Sequence, residues 1–169
     1  MRSDLKWNSN TKDIVKRAYN KLWILRRLKQ LGANSEELVD IYNKQCRSIL
    51  EYAVPAWNGA ITKDEIIEIE RVQKVALHII LGEQYGSYKD AREKTKLETL
   101  EVRRENLSLK FAKKAEKHPK HKNWFIPRPV RTTRHQNSKY WSVVARTERL
   151  KKSPIPYLTD LLNKHYSYY

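Results

Sequence analysis

His118 and His121, three residues apart, and the single cysteine, Cys46, are the side chains best suited to hold a metal ion. A tetrahedral zinc site needs four ligands, and no thiolate or carboxylate stands beside this His-x-x-His pair to complete them. No His-x-Asp opens a non-haem iron triad. The four glycines form no phosphate-cradling loop. No serine or cysteine has a base and an orienting acid in a local pattern. The expectation is therefore no catalytic residue, no cofactor, no metal and no small-molecule substrate.

Cations interleaved with aromatics offer different chemistry. Lys12, Lys16, Tyr19, Trp23 and Arg27 recur at helical spacing, so they share one face of a helix. Cations so placed meet successive phosphates, and a flat indole stacks on an unpaired base. The same spacing also suits Tyr19 and Trp23 packing under a second layer, with the cations as ordinary solvated surface. Lys120, Lys122, Trp124, Phe125, Arg128, Arg131 and Arg134 repeat the theme without a helical period. Arginine fits phosphate there, because its planar fork donates two parallel hydrogen bonds. These residues are the candidate nucleic-acid contacts, for RNA, DNA or a hybrid duplex; a solubilising connector is the competing reading of 118–139.

The elements that must position them follow from caps, breakers and apolar period. Asn10 or Thr11 caps a first helix running to about Leu31, with Gly32 as its left-handed stop and Ile14, Ala18, Leu22 and Leu25 facing inward. Asn34 or Ser35 opens a second helix with the stripe Leu38, Ile41, Tyr42, Ile49 and Ala53, ended by Pro55. Thr62-Lys63-Asp64-Glu65 is a capping box. The helix behind it carries Ile66, Ile69, Val72, Ala76, Ile79 and Ile80, stops at Gly82, and is expected at the centre. A short helix over 87–94 and a longer one over about 99–117 follow, the latter with Leu100, Leu107, Phe111 and Ala115 on one face. Gln73 and Arg104 interrupt apolar stripes and read as satisfied interior polar groups, Arg104 with a carboxylate such as Glu51 or Glu70.

Residues 118–139 contain three prolines and no acid, which reads as an extended or unstructured basic segment. Tyr140–Ala145 suits a short strand, and Pro154-Ile155-Pro156 leads into a brief terminal helix. The expected fold is all-α: an irregular bundle of about five helices over 1–117, then an extended basic tail with a short helix over 118–169.

Charge supports a polyanionic partner. The chain has 169 residues, 35 Lys and Arg against 19 Asp and Glu, and a formal charge of +16. The excess is +5 over 1–60, +2 over 61–117 and +9 over 118–169, so the flanks carry it. No run approaches the ~20 apolar residues of a membrane span. The opening MRSDLKWN lacks the apolar core of a signal peptide, so an intracellular, cytoplasmic or nuclear, setting without a membrane partner is expected. The lone cysteine agrees with a reducing compartment.

Several of these stretches together resemble the segment after the polymerase domain of non-LTR retrotransposon reverse transcriptases. Asp4-Leu5-Lys6-Trp7-Asn8 resembles the strand leaving the palm, and LWILRRLKQLG, 22–32, the first thumb-region helix. Tyr42 with RSILEYAVPAW, 47–57, is the most specific match. IERVQKVALHIILG, 69–82, and LETLEVRRENLSLKFAKK, 97–114, follow in the family's order, and PIPYLTDLLN, 154–163, resembles the way such polyproteins end. The resemblance covers about residues 3–117. It implies a helical thumb and connector that grips a template–primer duplex, with a polymerase palm as a further partner. The family's polymerase centre uses adjacent aspartates to hold two metal ions. No Asp-Asp pair occurs here, so a non-catalytic fragment from a truncated reading frame is expected. A helical protein-interaction module is the alternative, with Leu5, Trp7 and Trp57 as its apolar contacts. The same stretch is also similar to an amino-terminal segment of an AlkB-type tRNA-modification protein; the missing iron triad and cofactor loop argue against that chemistry.

Overall fold

The computed structural model describes residues 7–129 and 138–167. Its fold is all-α: the described residues form helices and no strand. Two compact units are present, one of 1–52 with 61–103 and one of 53–60 with 104–169.

In the first unit, α1 (Asn8–Gln30) lies against α5 (Lys63–Leu81). The α1 stripe is buried as its spacing predicts, at Ile14, Ala18, Leu22 and Leu25. The helix starts earlier than expected. Thr11 is buried inside it, its hydroxyl donating to the Trp7 carbonyl at 3.3 Å rather than capping. Gly32 stops it at φ +91°. Helix α5 opens on the Thr62–Glu65 box and closes at Gly82, φ +56°. Lys29 donates to the carbonyls of Ile79 at 2.6 Å and Ile80 at 3.1 Å, a cation on the negative end of α5. The positive φ favours glycine at 82; a Cβ there would also stand 2.5 Å from that ammonium and would push the flexible Lys29 side chain aside.

The second helix departs from expectation. Asn34 caps α2 (Ser35–Ile41) in a box with Glu37, after which Tyr42–Arg47 is a π-helix and Ser48–Glu51, α3, regular again. The buried line is Leu38, Tyr42, Cys46 and Leu50, not Ile41, Ile49 and Ala53. A spacing of four drifts around a helix of 3.6 residues per turn, and the wider π turn takes up that drift. Pro55 does not end this helix. Ala53 turns the chain first, in the left-handed region at φ +51°, and Pro55 sits in the opening turn of α4 (Val54–Trp57), where its missing N–H costs nothing.

Helix α6 (Tyr88–Thr95) is capped by Ser87 and packs on α5. Gln73 is interior and satisfied: it accepts from Tyr42 at 2.9 Å and donates to Tyr88 at 3.0 Å and to the Glu98 carbonyl at 2.8 Å. Tyr88 in turn donates to Glu70, whose carboxylate also accepts the Leu100 N–H at 3.0 Å. That places an anion on the start of α7 (Leu100–Lys117). Burial holds the Tyr42 phenol well above its usual range, and burial plus the Glu70 contact does the same for Tyr88.

The second unit packs α7 against α9 (Pro154–Tyr166) around Ala112, Ala115, Phe125, Tyr140, Leu158 and Leu162. Helix α8 (Glu148–Lys151) precedes α9, which is longer than the brief helix expected. The described part of 118–139 is not loose. Lys122–Trp124 is a 3-10 turn, and Phe125 is 2% exposed in the core. The strand expected over 140–145 is absent. Pro127 and Tyr140 form one isolated bridge, because Pro127 and Pro129 lack the amide donors a ladder needs. Arg104 is buried as expected but donates to Asn58 at 3.1 Å, while Glu51 pairs with Arg47 and Arg103 and Glu70 with Tyr88. Asn58 also donates to Tyr157 at 2.8 Å, and the Tyr157 ring lies where a Cβ on Gly59 would be.

Candidate nucleic-acid interface

Because the apolar stripe of α1 is committed to the interior, the opposite face is left to water. Lys12, Lys16, Tyr19, Trp23 and Arg27 are all exposed on it, Trp23 at 61%. Tyr19 and Trp23 therefore do not lie under a second layer. From Lys12 to Arg27 the row runs about 22 Å along the axis, roughly the rise of six to seven base pairs.

Lys12, Lys16 and Tyr19 do more than share a face. Together with Val15, and with Glu68 and Arg71 of α5, they line a shallow groove of about 290 Å³. Three cations and a phenol there surround one carboxylate, a set that suits a phosphate backbone at the rim and a base face on the ring. Glu68 and Arg71 were not legible as site residues, since only the pairing of α1 with α5 brings them to this face. The nearest acid along α1, Asp13, is engaged by Arg17 at 3.6 Å with both groups solvated.

The candidates after residue 117 are arranged differently. Lys120 is exposed. Trp124 is half-buried against the α7–α9 core and 4.4 Å from the His121 ring, and Phe125 is fully interior, so neither offers a free stacking face. Arg128 lies 4.6 Å over the Trp141 ring and donates to Ser138 at 2.9 Å. The Lys122 side chain, Arg131 and Arg134 fall outside the described residues. His118 and His121 stack at 4.8 Å, and among the described residues no three His, Cys, Asp or Glu side chains converge as metal ligands. Cys46 is buried, and burial pushes its thiol up to about 11.

Trp57 is buried, Trp7 half-buried, and Leu5 lies outside the described residues. No helix among the described residues is long and apolar enough to cross a membrane. Comparison with protein-family models, with curated proteins and with solved structures finds no match.

Proposed function

We propose that this chain is a non-catalytic, nucleic-acid-binding fragment related to the post-polymerase region of non-LTR retrotransposon reverse transcriptases. The resemblance of 22–32, 47–57, 69–82 and 97–114 supplies the family reading. The observation that carries binding is the solvent-facing row Lys12, Lys16, Tyr19, Trp23 and Arg27 on one rigid helix, with Arg71 added from α5. A helix face fixes the spacing of its cations, so successive phosphates are met without first ordering a loop.

Fluorescence anisotropy with labelled duplex, single-stranded and hybrid oligonucleotides tests this. Neutralising about five to eight phosphates gives a log–log salt slope near −4 to −7. Lys16→Ala with Arg27→Ala weakens all three polymers alike. Trp23→Ala weakens single strands more, by about 1–3 kcal/mol, because only an unpaired base stacks on the indole. A slope near zero, or binding indifferent to Lys16 and Arg27, ends the reading. Packing on a polymerase palm or another partner is the second reading; the burial of Trp57 removes one of the three residues on which it rested.

A further inference from the structure

The second unit carries a surface the nucleic-acid reading does not use. A groove of about 740 Å³ is lined by Pro55, Phe111, Trp124, Val143, Leu150 and Ile155 among others, with Ser153 its one hydroxyl. Phe111, Val143 and Leu150 are each at least 40% exposed, so the groove is open along its length. Ser153 already donates to the Leu150 carbonyl at 2.7 Å. A small-molecule site fixes its ligand with a few convergent polar groups, and this lining supplies none. An open apolar trough instead matches the face of an amphipathic helix. Charge narrows the choice. Unit two holds 16 Lys and Arg against 4 Asp and Glu. Within one helical turn of the lining residues stand exposed Lys110, Lys114, Arg146, Arg149, Lys151 and Lys152, against Glu148, which Lys151 faces at 4.0 Å, and Asp160. A helix that seats apolar side chains here brings its flanks over cations, so acidic flanks complement the rim.

We infer that this groove docks an amphipathic protein helix with apolar residues on one face and acidic residues beside them. Docking does not require the α1 face. The test uses the full chain and two fluorescein-labelled peptides of equal composition. One places Leu and Phe at i, i+3, i+4 and i+7 with Glu on the remaining faces; the other is scrambled. The patterned peptide is expected to bind at least about tenfold more tightly, a difference of about 1.4 kcal/mol. Phe111→Glu with Leu150→Glu, both at exposed positions, removes that advantage while the far-ultraviolet dichroism is unchanged. Lys16→Ala with Arg27→Ala leaves it intact. Equal binding of the two peptides, or a patterned-peptide affinity unmoved by Phe111→Glu with Leu150→Glu, overturns the proposal. Loss of oligonucleotide binding in that same groove variant, or displacement of the peptide by oleate, assigns the groove to a base or a fatty acid and also overturns it.

Discussion

The first unit has 19 basic and 15 acidic side chains; the second has 16 and 4, three quarters of the net charge. Yet the ordered row of cations and aromatics is in the first. Its excess is small, but α1 is long and its apolar stripe is fixed against α5, so every polar side chain on the other face has a set spacing. In the second unit, aromatic residues of the basic segment are spent on structure, Phe125 in the core and Trp124 beside it. Net charge sets long-range attraction, which salt screens. Contact geometry depends on a rigid scaffold, and the two properties have separated here.

Both interiors combine apolar packing with buried polar contacts, and mutation should weigh the two in each unit. The second unit is held by an apolar cluster, so Leu162→Ala, which empties a fully buried position between α7 and α9, is expected to cost about 2–5 kcal/mol. Urea unfolding followed by dichroism measures it. A cost under ~1 kcal/mol would mean that the site collapses freely and the cluster is loosely packed. The first unit has an apolar interior too, along α1 and α5, and through it runs a polar chain, Tyr42–Gln73–Tyr88–Glu70, ending on the Leu100 amide. Glu70→Ala strips the acceptor from Tyr88 and from the start of α7, for a loss of about 1–3 kcal/mol. Glu70→Gln keeps one carbonyl acceptor and should lose less. Equal losses would show that charge on the helix end, not hydrogen bonding, is what Glu70 contributes.

Much of the first unit was legible because its signals are local. The Thr62–Glu65 box, the glycine stops at 32 and 82, and the i, i+4 stripe of α1 each follow from residues within one or two turns. Gln73 was recognisable as interior because it breaks an apolar stripe, though its partners, 15 to 31 residues away, were not. Pro55 is ambiguous in the sequence since proline suits both the end of one helix and the first turn of the next, and Ala53 in the left-handed region decides between them. A helical pattern also hides a π segment, whose wider turn is a change of register rather than of composition. The second unit was mostly illegible. Phe125 sits among prolines and cations with no period, and its burial depends on α7 and on a helix that begins 29 residues later. The α1 face could be read residue by residue; Glu68 and Arg71 could not, because no local pattern announces which helices pair.

A smaller effect separates the units by pH. Glu116, on α7, accepts hydrogen bonds from Lys139, Tyr140 and, at 2.8 Å, Tyr166. Burial alone would raise its carboxyl, but these three donors outweigh burial and hold it below the usual glutamate range. A depressed carboxyl contributes stability above its unfolded value, about 4.3, and that contribution disappears as pH falls through the lower folded value. Tyr140 works from the other side. Burial, then the contact with Glu116, pushes its phenol up to about 12, so its contribution is complete below the unfolded value near 10 and lost as pH rises through the folded one. The cluster therefore ties residues 139 and 140 to α7 most firmly between those limits. Glu116→Gln removes the charge, the carboxyl's own shift and the Glu116 share of the Tyr140 shift, leaving the share due to burial. The variant should be less stable than the parent at neutral pH, and the gap should narrow in acid and again in strong alkali, as read from urea midpoints across the pH range. A gap that stays constant with pH would mean that Glu116 acts by packing alone, which would leave the solvated Lys164–Glu105 pair at 3.4 Å as the described ion pair joining α9 to α7.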